Sequence, residues 1–146
     1  MPGPLVYTVD QANALLADVE PILDRLDSVQ ERIRRTKIRV NALELIHGPT
    51  LQEEENSDHR EYVALIEQLS KETELFNAET QKIADLGGVL KGVEPTLVDF
   101  YGVHEGRLVF LCWKRGEDSI THWHHVDTGF ADRQPLDGSP YRSDDA

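Results

Sequence analysis

Apolar residues recur along the first third of the chain at alternating steps of four and three. They are Leu15, Val19, Ile22, Leu26, Val29 and Ile33, then Val40 and Leu43, with Thr36 as a polar lapse. That spacing draws a narrow seam down one long helix. Thr8 followed by Gln11 reads as a capping box, and Asp10 suits the positive end of the helix dipole. His47-Gly48-Pro49 stops the pattern, because glycine takes a left-handed cap and proline cannot continue a helix. A helix over 8–47 is predicted. Pro21 lies inside it, yet the seam keeps its phase from Val19 to Ile22, so a kink is expected there. A second helix opening near Pro21 is the alternative.

Residues 50–57 are polar, with Glu53, Glu54 and Glu55 in a row, and read as a solvated turn. Asp58 and Glu61 then open a second helix over 58–87, stopped by Gly87-Gly88. Its seam reads Tyr62, Ile66, Leu69, Thr73, Phe76, Thr80, Ile83 and Leu86. Two long helices joined by a short loop fold back as an antiparallel hairpin. The first helix would be about 55 Å long. The hairpin sets Arg32, Arg34, Arg35, Lys37 and Arg39 beside Glu67, Glu72 and Glu74, an exposed pairing worth only about 0.2–1 kcal/mol per contact.

Beyond Gly88 the period changes to that of strands. Leu97–Tyr101, Arg107–Lys114 and Ser119–His125 are predicted strands, with turns at 104–106 and 115–118 and a short fourth strand at 89–91. The strand at 107–114 is apolar on both faces and must be covered on both. The predicted class is α+β: a long antiparallel, coiled-coil-like helical hairpin followed by a small antiparallel three- to four-stranded β-meander at 89–125. Residues 1–133 form one domain and 134–146 an acidic, flexible tail. A small meander is marginal alone and a hairpin buries one seam, so copies of the chain are expected to associate as a homo-oligomer.

Charge narrows the partners. The 146 residues carry 15 basic and 27 acidic side chains, a net −12. Such a surface repels phosphate backbones and anionic bilayers, so neither nucleic acid nor a membrane is an expected partner. The single cysteine, Cys112, forbids an intrachain disulfide. No basic leader with a long apolar core opens the chain, so the cytoplasm is the expected compartment.

Reactive side chains concentrate in one stretch. His122 and His124 project from the same face of a strand and are a candidate pair of ligands for a divalent transition metal such as zinc. Asp99, Glu117 and Cys112 are candidates for the third ligand. Folding about the predicted turns puts both Asp99 and His124 near Val109, which separates them by about 10 Å across two strand spacings. The plainer expectations are a polar sheet face for the histidines, core positions for Trp113 and Trp123, and an inert buried thiol for Cys112. Glu117 is expected in solvent. Arg133 either clamps an anion or pairs with Asp127 or Asp132. There is no phosphate-cradling glycine loop and no nucleophile elbow.

The segments Thr8-x-x-Gln-Ala-Asn-Ala-Leu-Leu, Val98-Asp99-Phe100, Leu111-Cys112-Trp113-Lys114-x-Gly116-Glu117, Trp123-His124 and Gly129-Phe130-x-x-Arg133 together resemble a bacterial family, DUF2203. The resemblance spans the chain up to Arg133 and supplies no mechanism. It directs attention to Asp99, Cys112, Trp113, Glu117, Trp123, His124 and Arg133. His122 stands where the family typically has an aromatic residue, which favours His124 as the single candidate. Two readings follow. One is an oligomeric helical-hairpin scaffold with a β-appendage. The other is a metal-assisted or general acid–base enzyme built on His124, Asp99, Glu117 and Arg133.

Overall fold

Thr8 and Gln11 cap the first helix reciprocally. The Thr8 amide donates to Gln11 Oε1 at 2.9 Å and the Gln11 amide to Thr8 Oγ1 at 3.2 Å. Helix α1 then runs over Val9–His47 in a computed structural model that describes residues 5–136. Pro21 lies within that single helix, and no second helix begins there. Gly48 takes φ +58 and leads into a 3₁₀ turn at Gly48–Gln52, after which α2 spans His59–Asp85. Gly87 closes this region at φ +89, and a Cβ on it would lie 2.6 Å from the Tyr7 hydroxyl, so glycine is required twice over. The chain divides into two compact units, Ile22–Thr80 and Met1–Pro21 with Gln81–Ala146.

The unit Ile22–Thr80 is an antiparallel helical hairpin. Arg25 meets Glu79 at 2.9 Å, Thr36 donates to Glu72 at 2.7 Å, Arg39 meets Glu61 at 2.7 Å and His47 Nε2 lies 2.7 Å from Asp58. The seam of α1 is buried as its spacing predicts, through Ile22, Leu26, Val29, Thr36, Val40 and Leu43. Each large apolar side chain removed from water contributes about 1.5–3 kcal/mol. The seam of α2 differs from expectation. Glu72 and Glu79 are buried, while Ile66 and Thr73 are exposed. The inward stripe lies one position away from the predicted threonines because hydrogen bonds make these two glutamates acceptable inside. Glu72 receives Thr36 and Gln68, and Glu79 receives Arg25. The arginine cluster is therefore matched differently as well. Arg34 and Arg35 pair with Glu31 on their own helix, and Arg39 crosses to Glu61. Asp58, expected as a helix cap, directs its carboxylate at His47.

The second unit holds a five-stranded antiparallel sheet in the order β1 Gly88–Val93, β2 Thr96–His104, β3 Arg107–Lys114, β4 His122–His125 and β5 Gln134–Pro135. The fifth strand exceeds the expected meander. It forms because Trp123 pairs with Gln134 and the Leu136 amide donates to Thr121 at 2.8 Å, so the chain is ordered past the expected start of the tail. The rest of the tail expected over 134–146, residues 137–146, lies outside the described residues. One sheet face buries Val98, Phe100, Val109, Leu111, Trp113 and Trp123. Within this unit Ala12, Leu16, Val19 and Ile83 are also buried, and the Tyr7 ring meets Phe100 edge-on at 5.9 Å. The Ile120 amide donates to Asn13 Oδ1 at 2.7 Å, which ties the segment before β4 to α1. Both tryptophans are core residues, as expected. Among the described residues, no helix is long and apolar enough to cross a membrane.

Candidate metal centre

Strand register places the reactive side chains. Asp99 of β2 pairs with Cys112 of β3, Cys112 pairs with His122 of β4, and Phe110 pairs with His124. The expected alignment of both Asp99 and His124 with Val109 is incorrect. The β2–β3 turn is Glu105-Gly106, with φ +50 and +75, and not His104-Glu105. On the β4 side the pairing differs by one residue, with Val109 opposite His125. Asp99, Cys112 and His124 consequently share one face of the sheet.

The expected 10 Å gap closes. His124 Nε2 lies 3.1 Å from Asp99 Oδ2. Strand backbones two apart are separated by about 9.5 Å, but the imidazole and the carboxylate both reach over β3. On β3 Cys112 lies opposite Asp99 and Phe110 opposite His124, so the contact crosses β3 on the diagonal between these two residues. One ligand atom from each of Asp99, Cys112 and His124 lies within 4.8 Å of the other two, and all three residues are buried.

The hydrogen bonds of His124 define its state. Its Nδ1 lies 2.8 Å from the His125 carbonyl, which only accepts, so Nδ1 carries a proton and donates. In the neutral ring Nε2 is then a bare lone pair facing a carboxylate oxygen. Two acceptors at that distance need a cation between them, either a proton or a metal. A backbone carbonyl on Nδ1 is also the support that orients metal-ligating histidines. Asp99 Oδ1 is buried and has no hydrogen-bond partner among the described residues. Such an oxygen costs about 1–3 kcal/mol unless something meets it.

Electrostatics hold the metal-free thiol in its protonated form. Burial, and then the neighbouring Asp99 charge, push the Cys112 thiol up to about 12. Neither nitrogen of His124 is available to take its proton, since one serves the carbonyl and the other faces Asp99. Burial raises Asp99 above the ordinary carboxylate range despite the opposing pull of His124. A thiol in this setting ionises when a metal replaces its proton.

The remaining candidates lie around the cluster. His122 shares the face but is half-buried, and its Nδ1 lies 2.8 Å from the Thr121 hydroxyl; it stands outside the three-residue group. Glu117 is not left in solvent. It accepts two hydrogen bonds from Arg133, each 3.1 Å, and one from the Lys114 amide at 2.8 Å. Burial alone would raise its carboxyl, but these donors outweigh it and hold the group below the usual range. Arg133 therefore pairs with Glu117, not with Asp127 or Asp132, and its guanidinium stacks 4.3 Å from the Phe130 ring centroid. Phe130, Lys91, Leu97, Thr128 and Gly129 line a cavity of about 260 Å³ that reaches Asp99, Cys112 and His124. Lys91 and Phe130 were missed in the sequence, where nothing in their spacing links them to β3.

A family model described as an uncharacterized conserved protein (DUF2203) matches residues 5–136. No curated protein and no solved structure matches the chain.

Proposed function

The chain belongs to the DUF2203 family of uncharacterized conserved proteins, and we propose that this member binds a divalent transition metal through Asp99, Cys112 and His124. The observation that carries the reading is the convergence of three different donor atoms within 4.8 Å, beside a buried carboxylate oxygen that lacks a partner. A mixed sulfur, nitrogen and oxygen set suits zinc. Three protein donors leave a coordination position for water or a ligand, the pattern of catalytic zinc sites, and the adjoining cavity gives that position an outlet. Bound there, the metal would supply Lewis-acid chemistry. The chain's own contribution is to fix the His124 ring through the His125 carbonyl and to exclude bulk water around the cluster. In this reading Glu117 and Arg133 brace the surrounding loop and do not act on substrate. A cytoplasmic location accords with a metal held by a lone thiolate.

Elemental analysis of protein purified without an affinity tag tests the proposal. More than about half an equivalent of zinc per chain is expected, falling to background in Cys112→Ala and His124→Ala. Protein that stays metal-free after incubation with zinc overturns it.

A second reading concerns the hairpin. Leu45, Ile46 and Ile38 of α1 are 87%, 69% and 54% exposed, which favours association with a second copy. The inner seam, including Leu26 and Val29, is already covered within one chain, so this contact would use the outer face. Sedimentation should show a dimer that Leu45→Glu with Ile46→Glu converts to monomer. A monomeric wild type overturns this reading.

A further inference from the structure

We infer that the cavity beside Asp99, Cys112 and His124 receives a small organic anion, a short-chain carboxylate whose head faces the metal and Lys91 and whose tail lies against Leu97 and Phe130. This inference rests on the metal reading above and specifies what that site would take.

Three observations carry it. The first is charge. A dication held by the Asp99 carboxylate and the Cys112 thiolate is neutralised by its own ligands. Arg133 and Glu117 neutralise each other. Two lysines then remain at the cavity: Lys114, whose Nζ lies 5.8 Å from the Phe130 ring centroid, and Lys91. The Lys91 Nζ lies 4.5 Å from the centroid of the Phe110 ring, on the same rim of the cavity. Positive charge at the rim of an open metal position selects an anion. The second is polarity. Leu97 and Phe130 form apolar walls, and Phe130 is held by the Arg133 guanidinium stacked on it. Those walls favour a hydrocarbon portion over a fully polar ion such as phosphate. The third is size. A volume of about 260 Å³ gives room for a small organic anion. A Cβ on Gly129 would meet nothing within 4 Å, so this rim does not close the opening.

The test uses the full chain loaded with cobalt(II), whose visible absorption reports its ligands. Titration with butyrate should shift the spectrum. If both extra methylenes leave water, butyrate should bind about 15-fold more tightly than acetate. Lys91→Met should weaken butyrate about two- to fivefold without changing cobalt uptake, and Lys91→Arg should restore it. Cobalt that binds stoichiometrically with a spectrum indifferent to butyrate up to roughly 50 mM overturns this inference while leaving the metal reading intact. Inorganic phosphate binding as tightly as butyrate also overturns it. Failure of cobalt to bind at all removes the metal reading and this inference with it.

Discussion

Each unit of this chain buries a carboxylate, and the two are treated differently. In the hairpin, Glu72 is bonded through both oxygens, Oε1 to the Thr36 hydroxyl at 2.7 Å and Oε2 to the Gln68 amide at 3.3 Å. In the sheet, Asp99 meets His124 through Oδ2 alone, and Oδ1 has no partner among the described residues. A fully bonded acid inside a helical seam fixes register. A half-bonded acid facing a thiol and an imidazole is the arrangement on which the proposed metal site rests. The difference lies in what surrounds each group, and it separates a structural position from a chemical one where burial alone does not.

Four substitutions test that distinction. The largest effect is expected for Asp99→Asn, which should cut zinc affinity at least about 100-fold while leaving the melting temperature of the metal-free protein unchanged or higher. Competition with a chelator and a thermal scan read the two quantities separately. A large loss of metal-free stability would put Asp99 in the same class as Glu72. Next comes Glu117→Gln, expected to cost about 1.5–3 kcal/mol at neutral pH, since Arg133 and Glu117 are both mostly shielded from solvent. Because the folded carboxyl is held below its usual value of 4.5, that stabilisation is present above 4.5 and is lost as pH falls through the lowered value. Wild type and variant should therefore converge in acid, and curves that stay parallel would refute the assignment.

The third is Glu72→Ala, expected to cost about 1–3 kcal/mol in denaturant midpoint with zinc binding unchanged. The apolar pair Thr36→Val with Glu72→Leu should recover most of it, because neither half then leaves a polar group stranded. Lost zinc binding in Glu72→Ala would break the separation of roles. The smallest effect is expected for Glu31→Gln. The arginines Arg34 and Arg35 pull the Glu31 carboxyl down to about 2, yet its side chain is 43% exposed. Its loss should leave the melting temperature unchanged in 0.15 M salt, where surface pairs are screened.

The helices were legible in the sequence because their signals are local. The Thr8/Gln11 box, the Gly48 stop and the four-three spacing of α1 all act within a few residues of chain, and the structure uses each of them. The phase of α2 was less legible. Threonine passes as a seam residue and glutamate does not, unless Thr36 and Arg25 on the other helix are known to meet Glu72 and Glu79. The sheet's existence was legible and its register was not. Glu105 adopts φ +50 in a turn position where Asn or Asp is the usual signal, which displaces the β2–β3 pairing by two residues from that of a turn on His104-Glu105. That displacement sets Cys112 level with Asp99 and closes the Asp99–His124 gap. A site assembled from three strands depends on two registers and on side-chain reach, and none of these is a property of a short stretch of sequence.

Phe130 and Arg133 lie on the segment that leads into β5, outside the three strands that carry Asp99, Cys112 and His124. A shortened protein ending at Thr128 would retain Asp99, Cys112 and His124 but lose one wall of the cavity and the cation that steadies Glu117. Anyone trimming the molecule for expression should keep residues through Leu136, since a product missing them could pass every check of secondary structure while its pocket stood open on one side.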